Sequence, residues 1–187
     1  MSYIMGKYTK EWWDKAKLFQ GWLFGDKEID EWLLNCKDEL DELVLILLYY
    51  TGARPCELCM LKWGSIMIED DFIKIGIPTL KKGVSRSIYI PINKHTEKLI
   101  EMSNMFDKDD FILRGLKPWN VRDRIYRITQ NEMCPYFFRH NRLSKLANEG
   151  VDVYTLKKFK GAKTISSVEP YIILAGSDLK KIADKVK

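Results

Sequence analysis

The chain lacks any apolar run long enough to cross a membrane. Its longest, residues 43–50, has eight residues, whereas a transmembrane helix needs roughly 18 or more. The N-terminus has no apolar segment typical of a secretory signal peptide, so the expected location is cytoplasmic, with no membrane partner. Repeats and low-complexity tracts are also absent. The 187 residues are enough for one compact domain with its own hydrophobic core.

Cysteine is scarce, with four residues in the chain. Cys56 and Cys59 have the C-x-x-C spacing of many zinc ligands, but one such pair without a second is a weak signal for zinc. The pair lies in a segment that we predict to be helical, close to Leu58 and Leu61, which favours buried free thiols. We therefore expect no metal and no cofactor, and a zinc-binding domain remains an alternative.

Acidic residues are few between residues 113 and 160. Residues 1–50 contain 6 Lys and Arg against 10 Asp and Glu, whereas residues 113–160 contain 11 against 4. A local excess of positive charge suits a polyanionic partner such as nucleic acid. On charge alone, an ordinary solvated basic face explains the excess equally well.

The hydrophobic periodicity predicts a mainly α protein with a small three-stranded antiparallel β-sheet (α+β). The alternating residues 65–78 and 85–92 predict the strands, with turns at residues 69–71 and at Gly83. A further segment carries Tyr171. The helices are expected at about residues 27–35, 38–50, 55–63, 94–105, 120–130, 138–149 and 153–160.

Four short segments contain residues suited to phosphate chemistry. In order, they hold Arg54 in TGARPCEL, Lys81 at a Lys-Lys-Gly turn, Arg139 in PYFFRH, and Tyr171. Arginine has a planar fork that fits a phosphate with two hydrogen bonds, and it keeps its charge at any working pH. A tyrosine hydroxyl can attack phosphorus and hold the phosphoryl group covalently. The set predicts metal-free attack on a DNA phosphodiester.

Together these segments resemble the catalytic domain of the tyrosine recombinases, the site-specific DNA integrases, over about residues 23–183. TGARPCELCMLKWGSI is similar to the first-arginine segment of that family, and LKKGVSRSIYIP to its lysine hairpin. PYFFRHNRLSKLANEGVDVYTLKKFKG is similar to its second-arginine helix and the helix that follows, and TISSVEPY to its nucleophile segment. The resemblance implies a catalytic domain at 26–176, an N-terminal helical extension at 1–25 and a C-terminal tail helix at 177–187.

The resemblance also implies a role for each matched residue. Arg54 and Arg139 would hold the oxygens of the scissile phosphate and stabilise the charge of the transition state. Tyr171 would attack phosphorus, giving a 3′-phosphotyrosine and a free 5′ hydroxyl. Lys81 would protonate the leaving oxygen, with the adjacent Lys82 as the alternative.

Two positions depart from the family pattern. Tyr136 stands three residues before Arg139, where histidine is usual, and a phenol donates a hydrogen bond but does not relay protons near neutral pH as imidazole does. Ala162 follows Gly161, where histidine or tryptophan is usual. Lys160 and Lys163 are the candidate substitute donors. His140 is expected to be structural, with a donor role as the alternative.

Several further side chains are expected to support the site or to bind DNA. Glu57 lies one helical turn from Arg54 and would orient its guanidinium group. The side chains expected to contact DNA are those of Lys82, Arg86, Arg114, Lys117, Arg122, Arg124 and Arg142.

The function predicted from these residues is site-specific DNA recombination on double-stranded DNA, in the integration or excision of a mobile element. The resemblance implies a tetramer on DNA, and we expect a monomer when free. The chain is either a fragment of a longer integrase or a minimal version, and cleavage within the protomer or on a neighbour remains open. The alternatives are a type IB topoisomerase-like activity and a catalytically impaired DNA-binding module of the same fold.

Overall fold

The structure is a computed structural model that describes residues 23–78 and 85–176. The Lys81–Lys82 turn, the tail helix and residues 1–22 of the N-terminal extension lie outside the described residues. In the described part, no helix is long and apolar enough to span a membrane. The helices are α1 (Asp26–Leu33), α2 (Glu39–Thr51), α3 (Pro55–Leu58), α4 (Glu97–Ser103), α5 (Pro118–Ile128), α6 (Pro135–Asn148), α7 (Val153–Lys160) and α8 (Glu169–Gly176).

Helix α2 is the central element of the main hydrophobic core. The Asp38 side chain caps its N-terminus by accepting a hydrogen bond from Asp41 N (2.9 Å). The side chains from Leu43 to Thr51 are all buried, as expected for a helix that other elements surround. The helix ends at Gly52 with a φ of 56°, and it packs against α5 and α6. This packing brings the segment after α2 close to α6.

The sheet is an antiparallel meander in the order β1 (Ile66–Glu69), β2 (Phe72–Ile77) and β3 (Arg86–Pro91). Alternate residues of β2 and β3 are buried, among them Ile75 and Ile88, which face each other in register. Because side chains alternate along a strand, Arg86 shares the inward face with Ile88. The predicted fold class, mainly helical with a three-stranded antiparallel sheet, is confirmed.

The prediction of one helix over residues 55–63 is wrong beyond Leu58. Cys59 N still donates to Pro55 O, but the chain then leaves the helix and forms a 3₁₀ turn at Trp63–Ser65. Trp63 N instead donates to Asp110 O (3.0 Å), and Gly64 N donates to Lys108 O (2.8 Å). These distant partners, which the local sequence does not reveal, replace the helical hydrogen bonds.

Candidate active site

Arg54 lies at the N-terminus of α3, and the helix itself fixes its position. Glu57, the third residue of α3, accepts hydrogen bonds from Arg54 N (2.9 Å) and from Arg54 Nη1 (2.8 Å). The Glu57 side chain is 1% exposed, whereas that of Arg54 is 45% exposed. One buried carboxylate therefore holds both the backbone and the guanidinium of an arginine that still reaches solvent.

Glu57 has a second arginine partner, Arg86 on β3. Arg86 Nη2 donates to Glu57 Oε2 (2.9 Å) and Arg86 Nη1 to Glu57 Oε1 (3.2 Å). Burial alone would raise the pKa of Glu57, but the hydrogen bonds from Arg86 and Arg54 outweigh it and lower that pKa. Arg86 was predicted to contact DNA, but its side chain is 3% exposed and turned inward, so it is not placed to do so.

Arg139 lies on α6 and joins the ends of two other helices. Its Nη1 donates to Gly52 O (2.7 Å) just after α2, and its Nη2 donates to Lys160 O in the last turn of α7. Burial and the nearby charge of Arg54 lower the pKa of Arg139 to about 10, so the side chain remains charged at neutral pH. The two predicted phosphate-binding arginines therefore share one positively charged region.

Tyr171 lies on α8 and is 4% exposed, in a small cluster with Leu143, Leu156 and Val168. Its hydroxyl lies 3.5 Å from His140 Nε2, at the outer limit of hydrogen bonding. Burial, followed by the nearby Tyr136 hydroxyl, raises the pKa of Tyr171. The phenol is therefore protonated at neutral pH.

His140 lies between two tyrosines. Its ring centroid is 4.1 Å from that of Tyr136 and 5.2 Å from that of Tyr171. Helix α6 starts at Pro135 rather than near residue 138, so it includes both Tyr136 and His140. Because the two are four residues apart on one helix, they share a face. Burial and then the charge of Lys160 lower the pKa of His140 to about 4, so the imidazole is neutral at pH 7.

Of the two lysines considered as substitute donors, Lys160 is the one beside Tyr171. Its Nζ lies 5.0 Å from the centroid of the Tyr171 ring and donates to Ser167 O. Burial and the charge of Arg139 lower the pKa of Lys160 to about 8. Lys163 is exposed beyond Gly161, and Ala162 is partly buried.

The basic residues predicted to contact DNA fall into two groups. Arg114, Lys117 and Arg122 are exposed, and two of them have exposed acidic partners, Glu39 and Asp123. Arg124 is instead mostly buried and donates to Asp38 and Asp41, and Arg142 is partly buried. The exposed group provides the accessible positive charge among these candidates. Lys82 lies outside the described residues.

The cysteines do not form a metal site in the described part of the chain. Cys56 and Cys59 are free thiols, and residues 23–78 and 85–176 contain no group of three or more His, Cys, Asp or Glu side chains that could hold a metal ion. Burial raises the pKa of Cys59 to about 11 and also raises that of Cys56. Both thiols are therefore protonated at neutral pH.

Comparison with known proteins gives a consistent result. The sequence pattern of the phage integrase family matches residues 26–176. Tyrosine recombinase XerC of Staphylococcus aureus strain JH9 is 27% identical over 162 residues, covering 78% of this chain and 53% of the relative. The XerC of strain USA300 matches to the same extent. The chain thus spans about half the length of the curated relatives it matches.

Solved structures with a similar fold include the XerH site-specific recombinase bound to palindromic difH substrate in a post-cleavage complex, with a TM-score of 0.67 and 15% identity. The match covers 86% of this chain and 52% of that one. The catalytic domain of bacteriophage HP1 integrase matches with a TM-score of 0.59 and 23% identity, covering 87% and 93%. The Tn1549 transposon integrase in complex with transposon right end DNA matches with a TM-score of 0.61 and 18% identity, covering 86% and 65%.

Proposed function

Because the chain belongs to the phage integrase family, we propose that it cleaves and rejoins DNA strands in site-specific recombination, with Tyr171 as the nucleophile. The observation that carries the proposal is the convergence of residues distant in sequence. Arg139 joins the ends of α2 and α7, and Tyr171 lies beside Lys160 in the last turn of α7. Two arginines and a buried tyrosine are suited to attack a phosphodiester without the help of a metal ion.

In this reaction Tyr171 Oη forms a bond to phosphorus while the bond from phosphorus to the 5′ oxygen breaks. The products are a 3′-phosphotyrosine and a 5′ hydroxyl, and the reverse attack by a 5′ hydroxyl rejoins a strand. Because the covalent intermediate retains the bond energy, rejoining needs no ATP. Arg54 and Arg139 stabilise the charge on the non-bridging oxygens, and Lys81 gives the leaving oxygen its proton.

Two side chains near Tyr171 replace the groups that the family usually has at positions 136 and 162, a histidine and a histidine or tryptophan. His140 is neutral at pH 7, and its Nε2 lies 3.5 Å from Tyr171 Oη, so it is placed to accept a hydrogen bond from the phenol and orient it; with a pKa of about 4 it is too weak a base to keep the proton, which passes to water. Lys160 is mostly protonated at pH 7, and its charge beside the ring favours the phenolate as it forms. Tyr136 contributes a hydroxyl at the face where the family has histidine.

The partner that we propose is double-stranded DNA carrying a recombination site, inside the cytoplasm. The structural neighbours include recombinases that were solved with DNA. We propose a tetramer on DNA and a monomer when free. Domain limits of 1–25, 26–176 and 177–187 remain our proposal for the organisation of the chain.

Two observations favour a second candidate, a DNA-binding module of the same fold with impaired catalysis. Tyr136 stands where the family usually has a histidine. Burial also raises the pKa of Tyr171, so its phenolate forms less readily than that of an exposed tyrosine. Losing one donor to a transition state typically slows a reaction by about 100- to 1000-fold. Slow cleavage is therefore compatible with the main proposal, whereas no cleavage would favour the second candidate.

The test is the formation of a covalent adduct with a pool of nicked duplexes that trap the intermediate. The wild type, Tyr171→Phe and the control Tyr154→Phe are compared on a denaturing gel, since Tyr154 lies on α7 and is 68% exposed. We expect adducts with the wild type and the control, and none with Tyr171→Phe. DNA binding by the wild type without any adduct would favour the impaired module.

A further inference from the structure

Arg86 is a charged side chain in the interior that the proposed reaction does not use. It is 3% exposed, it shares the inward face of β3 with Ile88, and it directs two nitrogens at the carboxylate of Glu57. Both terminal nitrogens of Arg86 donate to the Glu57 carboxylate, so this carboxylate already occupies the fork with which an arginine binds a phosphate. Any effect of Arg86 on the reaction must therefore act through the residues that it contacts.

The balance of charge around Glu57 indicates how Arg86 affects Arg54. Glu57 carries one negative charge, which a single partner, Arg54, would neutralise almost completely. With Arg86 as a second partner, the three side chains keep a net positive charge, and the exposed member is Arg54. A positive charge at Arg54 is what a phosphate-binding arginine has to offer.

Arg86 also lies against the segment that holds Arg139. A Cβ added at Gly161 would lie 3.1 Å from Arg86 Nη1, and Gly161 has a φ of 61°, a conformation that L side chains rarely adopt. The residue before it, Lys160, provides the carbonyl oxygen that binds Arg139 Nη2. Arg86 is thus packed between the carboxylate that orients one arginine and the turn that positions the other.

We propose that Arg86 is a positioning residue for Arg54: it offsets the charge of Glu57, so that the group of three side chains keeps a net positive charge and Glu57 holds Arg54 in its orientation toward the phosphate. The inference rests on the proposed function and deepens it. Arg86 itself touches neither DNA nor the reacting atoms. Its effect on cleavage must therefore pass through Arg54, and this distinguishes it from a DNA contact or a purely structural ion pair.

The test is a double-mutant cycle of Arg86→Met and Arg54→Ala, read as the rate of adduct formation per folded molecule at saturating nicked DNA. The control is Arg127→Met, since Arg127 donates to buried Asp41 in another ion pair of the fold. We expect Arg86→Met to slow cleavage by about 10- to 100-fold, less than direct loss of a transition-state donor. In the Arg54→Ala background we expect a change of less than about threefold, because coupled residues are not additive.

Thermal unfolding of each variant separates folding from positioning. Arg127→Met should lower the melting temperature while leaving the rate per folded molecule unchanged. If Arg86→Met does not fold, Arg86→Lys takes its place in the cycle, since lysine retains the charge but loses the two-pronged contact with Glu57. An equal slowing by the Arg86 substitution in both backgrounds would overturn the inference.

The same experiments test the proposed DNA cleavage separately from the role of Arg86. A wild type that forms no adduct contradicts the cleavage proposal, and the same cycle is then measured as affinity for intact duplex DNA. Coupling predicts that Arg86→Met weakens binding only while Arg54 is present. Independent losses at the two positions would overturn the inference, whatever the result for cleavage.

Discussion

At the scale of single residues, burial sets the charge of His140. Its pKa in the folded protein is about 4, against a usual value of 6.5, because the ring is buried near the charge of Lys160. Between those two pH values the unfolded chain binds more protons than the folded protein. Folding stability therefore rises with pH through this window and is lost as the pH falls through it.

The first prediction concerns the variant His140→Gln, which removes this titration. The wild type should lose about 2 kcal/mol of stability from His140 alone between about pH 7.5 and pH 5, and the variant should lack that share of the loss. Urea unfolding of both proteins at the two pH values measures the difference. Identical pH dependence in the two proteins would show that His140 is not held neutral by the fold.

The identities of Arg54, Arg139 and Tyr171 could be proposed from sequence because each lies in a recognisable segment. The inward direction of Arg86 was also present in the sequence, since Arg86, Ile88 and Ile90 alternate along one strand. Arg86 was nevertheless predicted to contact DNA because it is positively charged. Its partner could not be predicted, because Glu57 lies on a different element and only the tertiary fold brings the two together.

At the scale of elements, the turn after α2 depends on Gly52. Its φ is 56°, and an added Cβ would lie 3.3 Å from Arg142 Cβ and 3.5 Å from Arg139 Cα. Its carbonyl oxygen also binds Arg139 Nη1. The close approach of α2 and α6 and the position of Arg139 therefore depend on the same residue.

The second prediction is that Gly52→Ala lowers the free energy of unfolding by about 2 kcal/mol, through the left-handed backbone conformation and the close contact with α6. The control is Gly76→Ala on β2, where an added Cβ would come no nearer than 3.8 Å to Ser65 O. Urea unfolding of both variants gives the comparison. A loss no greater than that of the control would contradict the role assigned to this turn.

The helices most fully predicted from sequence were those with clear ends. The predicted helix at residues 153–160 has the same limits as α7, because Asp152 caps its start and Gly161 ends it in a left-handed conformation. Helix α3 was predicted too long, because hydrogen bonds to Lys108 and Asp110 take over after Leu58. Local propensity predicts an element well where its own residues end it, and poorly where distant backbone groups do.

At the scale of the whole molecule, the distribution of charge would govern the proposed binding to DNA. Lys117 and Arg122 are exposed near the start of α5, in the part of the chain with a positive excess. Lys94 is also exposed, but it lies outside that part of the chain and pairs with Asp30 (2.7 Å). Contacts with phosphates release counterions, so they make DNA affinity depend on salt.

The third prediction is that Lys117→Met and Arg122→Met each reduce the slope of log affinity against log salt by about 1, because each would remove one proposed phosphate contact. Lys94→Met should leave the slope unchanged. Fluorescence anisotropy with a labelled duplex at several salt concentrations measures these slopes. An unchanged slope for both α5 variants would place the DNA surface elsewhere.

The hydrogen bond from Arg139 Nη2 to Lys160 O has a consequence for how such a site can change over generations. The acceptor is a main-chain oxygen, and every amino acid brings one. A point mutation at position 160 can therefore replace the side chain and still leave the acceptor of Arg139 in place, provided that α7 keeps its course. Selection can test new side chains beside Tyr171 without giving up the arginine that the proposed chemistry needs.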